Sequence, residues 1–135
     1  KDEHIDNVIF KGFVEKKYIP YILSRSSVNV LNYSQANYNW SRGNSSNKLF
    51  EYMASGKPII STVKMGYCIL DKYQCGLSLE ECTPQALAEQ ILKIHDMPAE
   101  TYAQMAHNAQ EGAKDFDFSV LTERLYHVIE SVEQK

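Results

Sequence analysis

The sequence has no long apolar run. Nothing in its 135 residues approaches the roughly 18–20 apolar residues in a row that a membrane-spanning helix needs. A cleavable secretory leader is likewise absent from its opening residues. There is also no block of Lys and Arg, and 14 basic against 17 acidic residues leave a net charge of -3. A basic face for nucleic acid is therefore not available, and no nucleic-acid partner is expected. Cysteine is scarce: Cys68, Cys75 and Cys82 are odd in number, evenly spaced and without a His beside them. That pattern gives neither a disulfide framework nor a zinc site. Free thiols in a reducing compartment, the cytoplasm, are the expectation. The chain also lacks an initiating Met. It opens on Lys1-Asp2-Glu3-His4 and enters an apolar run almost at once, which reads as an excised piece of a longer protein.

What is present is an alternation of short apolar runs and amphipathic stretches. Val8-Ile9-Phe10, closed by Gly12, reads as a buried strand. Tyr18, Ile19, Ile22 and Leu23 follow at helical spacing, with Pro20 in the first turn, where its missing N–H costs nothing. Val28–Leu31 reads as a second strand, Ile59–Thr62 as a third and Gly76–Leu79 as a weak fourth. Between the second and third, a helix over 46–55 carries Leu49, Phe50, Met53 and Ala54 on one face. Gly56 ends it and Pro58 prevents its return.

The remainder reads as helix. Thr83-Pro84 is a cap and first turn, with Leu87, Ala88, Ile91, Leu92 and His95 inward. Pro98 opens a second helix with Tyr102, Met105, Ala106 and Ala109 inward. Asp117 or Ser119 caps a third, with Leu121, Leu125, Val128 and Val132 inward. This order predicts an α/β fold, a Rossmann-like parallel sheet flanked by helices.

Ligands of such sheets sit beyond the carboxyl ends of the strands. The polar loop 32–46 leaves from one such end and opens a helix. It carries Tyr33, Tyr38 and Trp40, whose rings suit either stacking on a ligand or covering a core edge. At the helix start the backbone N–H groups of Ser46, Asn47 and Lys48 have no partner within the helix. Together with the positive end of the helix dipole they form an anion site. Lys48 in the first turn opposes the dipole, a conflict that a bound phosphate removes. Glu51 follows Asn47 by one turn on the same face. A carboxylate there is wrong for phosphate and right for a ribose, whose two vicinal hydroxyls both donate to it. Phosphate followed by a diol is the layout of a nucleoside diphosphate. The opposing reading is that Glu51 and Lys48 are ordinary solvated charges.

The string Ser45-x-Asn47-Lys48-Leu49-Phe50-Glu51-Tyr52-Met53-Ala54-x-Gly56-Lys57-Pro58-Ile59-Ile60 resembles the donor-site motif of retaining glycosyltransferase family 4, in its capsule and O-antigen branch. The upstream Asn7-Val8-Ile9-Phe10-x-Gly12-Phe13-Val14, the Ile19-Pro20-x-x-Leu23 run and Gly76-Leu77 are similar to the same family. The resemblance implies a GT-B fold of two Rossmann-like domains. Residues 1–135 would be an incomplete C-terminal, nucleotide-sugar-binding domain, with the acceptor domain elsewhere. It implies that Glu51 binds the ribose, that amides at Ser46, Asn47 and Lys48 meet the diphosphate, and that backbone near Phe13 and Val14 meets the base. Gly43, Asn44 and Ser45 would border the donor sugar. The family often has an acidic residue at the position of Gly43, so this chain departs from the pattern there. The basic pair that meets the diphosphate, and the catalytic groups on the acceptor side, would lie upstream of residue 1.

The activity implied is transfer of a sugar from a UDP- or GDP-linked donor to a saccharide or lipid-linked saccharide acceptor, with retention, in cell-surface polysaccharide synthesis. No cofactor or metal is implied. Membrane contact, if any, would be peripheral and through the absent domain. A nucleotide-sugar enzyme of epimerase type and a non-catalytic nucleotide-binding or interaction module are the alternatives. His4, His95, His107 and His127 are assigned no catalytic part, since no partner is placed beside them.

Overall fold

A computed structural model describes residues 5–34, 43 and 46–133. Three strands, β1 (Asn29–Leu31), β2 (Ile59–Ser61) and β3 (Gly76–Ser78), form one parallel sheet in the order β1-β2-β3. Asn29 pairs with Ile59, and Ile59 with Gly76. β2 is central and wholly buried, as a parallel strand covered on both faces should be. The helices are α1 (Ile19–Arg25), α2 (Asn47–Ala54), α3 (Ile69–Tyr73), α4 (Pro84–His95), α5 (Ala99–Lys114) and α6 (Phe118–Glu133). This is the Rossmann-like arrangement expected, with α2 and α3 as the crossovers.

The core lies between the sheet, α2 and α5. Leu31, Leu49, Met53, Ile59, Leu70 and Ala109 meet there, with the buried Cys75 thiol. Burial pushes that thiol's pKa up to about 12, because a thiolate would have no water around it. Gly112 lets α5 approach α2 closely: a Cβ there would lie 2.6 Å from the Tyr73 ring and 2.8 Å from Met53 Cε. Polar groups inside are paired. Asn29 donates to Ser55 Oγ at 3.0 Å and accepts from Ser26 Oγ at 2.9 Å, tying α1, β1 and α2 together. Gly56, at φ 64°, closes α2 with its N–H on Met53 O at 3.0 Å. The Thr83 side chain caps α4 through Ala86 N at 3.1 Å. Asp117, and not Ser119, caps α6: its carboxylate accepts from Ser119 N at 2.9 Å.

Four expectations are corrected. Val8–Phe10 is not a strand, and Phe10 is 93% exposed. β propensity marks residues that fit a pleated surface, but a strand needs a neighbour, and among the described residues β1 pairs only with β2. The inward line of α4 runs through half-buried Leu87 to buried Ile94, while Leu92 and His95 are exposed. The apolar stripe is wider than the surface that covers it, so contact with the fold sets its phase. Ala54 of α2 is exposed. On α6 no residue is buried, and Leu125 and Val132 are 60% and 68% exposed. Periodicity gave that helix its apolar face, but no other element among the described residues covers it.

Candidate functional site

The site grows from the carboxyl end of β1. Thr62, just after β2, accepts from Tyr33 N at 2.7 Å and donates to the Tyr33 carbonyl at 2.9 Å. This pins the chain as it leaves the sheet. The Tyr33 ring packs against the core cluster, and its hydroxyl lies 2.6 Å from Ser46 Oγ. Of the two roles open to this ring, it covers the core edge, and through Ser46 it fixes where α2 begins. Tyr38, Trp40, Asn44 and Ser45 lie outside the described residues.

Ser46 is the N-cap of α2, in extended conformation and without a side-chain bond to the helix. Its carbonyl accepts from Leu49 N at 3.0 Å. The N–H groups of Asn47 and Lys48 make no hydrogen bond among the described residues. The helix therefore presents free donors at its positive end. Leu49 and Met53 turn into the core, while Asn47, Lys48 and Glu51 stay exposed. The Glu51 carboxylate makes no hydrogen bond or ion pair among the described residues.

A cavity of about 650 Å³ runs along this face of α2, and Gly43, Asn47 and Glu51 line it together. Its other walls are Tyr67, beyond the carboxyl end of β2, and the α5–α6 corner at Phe116 and Phe118. Phe116 is held by stacking on Phe50, with ring centroids 4.4 Å apart, and lies edge-on to Tyr73 at 5.9 Å. Tyr73 in turn donates to Asp115 at 2.6 Å. A second cavity of about 450 Å³ adjoins the first, between α1, α2 and α5, and shares Lys16 and Glu51 with it. Both volumes fall within the usual range of small-molecule clefts, about 300–1,000 Å³.

Ser46 and Lys48 line neither cavity, and Lys48 points its charge to solvent. Phe13 and Val14 line neither as well, and Phe13 is 91% exposed. Lys16 and the α5–α6 corner were not legible as site residues. A lysine in a short polar connection carries no motif, and Phe116 and Phe118 read only as a junction between helices. His95 and His127 do acquire carboxylate neighbours, Asp96 at 2.8 Å and Glu130 at 3.5 Å, but both pairs are exposed and neither His lines either cavity. Among the described residues no group of three or more His, Cys, Asp or Glu could hold a metal ion. No helix among them is long and apolar enough to cross a membrane.

Gly43 has a structural reason to be glycine. Its φ is 83°, and a Cβ would lie 2.8 Å from the Tyr67 carbonyl oxygen. A side chain here meets both the left-handed penalty and the backbone of the neighbouring loop. Gly43→Ala is expected to cost about 1–3 kcal/mol of stability in urea denaturation. It should also open the Gly43–Tyr67 contact, weakening whatever binds in the cavity. A variant as stable as the parent would show that the two loops do not touch.

The family model described as "Glycosyl transferases group 1" matches residues 1–112. No curated protein matches the chain, and no solved structure does. The match corrects the resemblance drawn from the motif. The family found is group 1, not the family 4 capsule-type branch. The match also starts at the first residue and spans most of the chain, where a C-terminal piece had been expected.

Proposed function

We propose, starting from the fact that this chain belongs to the group 1 glycosyl transferases, that the cavity along α2 binds a nucleoside-diphosphate sugar. Glu51 takes the ribose diol, and the free amides at Asn47 and Lys48, behind Ser46, take the diphosphate. One observation carries this reading: Glu51 stands in the same cavity as Asn47, one helical turn on, with its carboxylate uncommitted. A carboxylate accepts both hydroxyls of a diol, and a helix start accepts an anion. Gly43 borders the donor sugar, and Tyr67 closes the same side.

Charge builds on the diphosphate as the sugar leaves. Donors already fixed at a helix start stabilise that charge without reorganising. The sugar passes to a hydroxyl of a saccharide or lipid-linked saccharide, with retention at the anomeric carbon, in the assembly of a cell-surface polysaccharide. In this reading the chain is the donor-binding part of a two-domain enzyme. It works in the cytoplasm, where its three free thiols stay reduced.

Calorimetric titration of the protein with UDP, GDP and their sugars tests the reading. Saturable binding of one nucleotide, at micromolar to low-millimolar concentration, is expected. A folded protein that binds none of them would end the donor-site reading.

A further inference from the structure

Tyr67 and Phe116 line the first cavity from different parts of the fold, one beyond β2 and the other at the α5–α6 corner. They are held very unequally. Phe116 stacks on Phe50 at 4.4 Å and meets Tyr73 edge-on at 5.9 Å. Tyr67 is 54% exposed. Its backbone abuts Gly43, but that contact leaves the ring free to turn about its own side-chain bonds. One cation reaches it. The ammonium of Lys72, on α3, lies 6.0 Å from the centre of the Tyr67 ring and 4.8 Å from that of Tyr73. Both distances are within cation–π range. No other charged, aromatic or hydrogen-bonding group among the described residues holds the Tyr67 ring.

The far end of this contact is anchored. Tyr73 donates to Asp115 at 2.6 Å, and Asp115 in turn lies 3.5 Å from the Arg124 guanidinium of α6. Gly112 of α5 brings the Tyr73 ring close, since a Cβ there would lie 2.6 Å from it. Tyr73 is therefore fixed to the α5–α6 corner, and a cation shared by both rings carries that fixity to Tyr67.

We propose that Lys72 is a positioning residue for the sugar end of the donor cavity, holding the Tyr67 ring in place against the Tyr73–Phe116 wall. This rests on the donor-site reading, which puts the sugar beside Gly43 and Tyr67. Neither Lys72 nor Tyr73 lines the cavity, so Lys72 acts through Tyr67. A ring located before the ligand arrives needs no ordering when it binds, and that ordering otherwise weakens the complex. The effect falls on the sugar, because the nucleotide is held elsewhere, along α2 at Asn47 and Glu51.

The test is calorimetric titration of the whole protein with UDP, GDP, UDP-glucose and GDP-mannose. Lys72→Met keeps the length of the side chain and removes its charge. It is expected to weaken the better-bound sugar nucleotide about three- to fivefold, with UDP and GDP within about 1.5-fold of the parent. Lys72→Arg restores the affinity, because a guanidinium also stacks on aromatic faces. Tyr67→Ala shows the same selective loss. The double variant Lys72→Met with Tyr67→Ala stays within about twofold of Tyr67→Ala alone, as two residues acting as one unit should. Unchanged sugar-nucleotide affinity in Lys72→Met would overturn the proposal. So would an equal loss for bare and sugar nucleotides, a loss that arginine does not restore, or losses that add in the double variant. A parent that binds UDP or GDP but neither sugar nucleotide overturns it too and leaves the nucleotide site standing. A parent that binds none of the four ends the donor-site reading, and this inference with it.

Discussion

Gly76→Ala is expected to remove about 3 kcal/mol or more of stability, a large share of the roughly 5–15 kcal/mol that holds a domain folded. Gly76 faces Ile59 across the parallel ladder. A Cβ there would lie 2.1 Å from the Ile59 carbonyl oxygen and 2.9 Å from its carbon. Both atoms are backbone, so no rotamer change relieves the clash. The strands must separate, and β2 is the fully buried centre of the sheet. Overpacking of side chains typically costs about 1–3 kcal/mol, and overpacking against a strand should sit at or beyond the top of that range. Gly12→Ala is the control. Its φ of 66° carries the left-handed penalty, but nothing lies within 4 Å of the added methyl. That variant should lose only about 1–2 kcal/mol. Urea denaturation of the pair reads the difference. Equal losses would mean that β2 and β3 are not registered as described.

The sequence announced those elements that are specified locally. β1 and β2 are short β-rich runs, β3 is a weak one, α2 has its terminal Gly56 and following Pro58, and α4 has Thr83-Pro84. Each signal acts within a few residues, so no tertiary knowledge was needed. What stayed hidden depends on partners. α3, Ile69–Tyr73, is five residues long, too short to show a helical period. The exposed Val8–Phe10 run and the uncovered face of α6 show the converse, since pattern says which residues share a face but not what meets it. The site divides in the same way. Asn47 and Glu51 were readable from their spacing of one helical turn. Lys16, Tyr67 and the Phe116–Phe118 corner reach the cavity from three separate stretches of chain, which no local pattern connects.

Glu51→Ala should weaken binding of the preferred nucleoside diphosphate by at least about tenfold, and by up to about a hundredfold, at unchanged protein stability. Two hydroxyls donating to one carboxylate make two charge-assisted hydrogen bonds. Each is worth about 1.5–3 kcal/mol in a folded structure, and tenfold in affinity is about 1.4 kcal/mol. The upper part of that sum is not expected to appear, because Glu51 is exposed and water recovers part of what the diol loses. Stability should hold for the same reason: with no hydrogen bond or ion pair among the described residues, the side chain contributes little to the fold. Glu51→Gln separates charge from shape. The amide keeps one acceptor and replaces the other with a donor, so its loss should fall between those of the parent and of alanine. Lys48→Ala, by contrast, removes a cation that lines neither cavity and opposes the helix dipole. It should change affinity less than about threefold. If Lys48→Ala proved the more damaging of the two, the diphosphate would be held by that side chain and not by the helix amides, and Glu51 would be an ordinary solvated carboxylate.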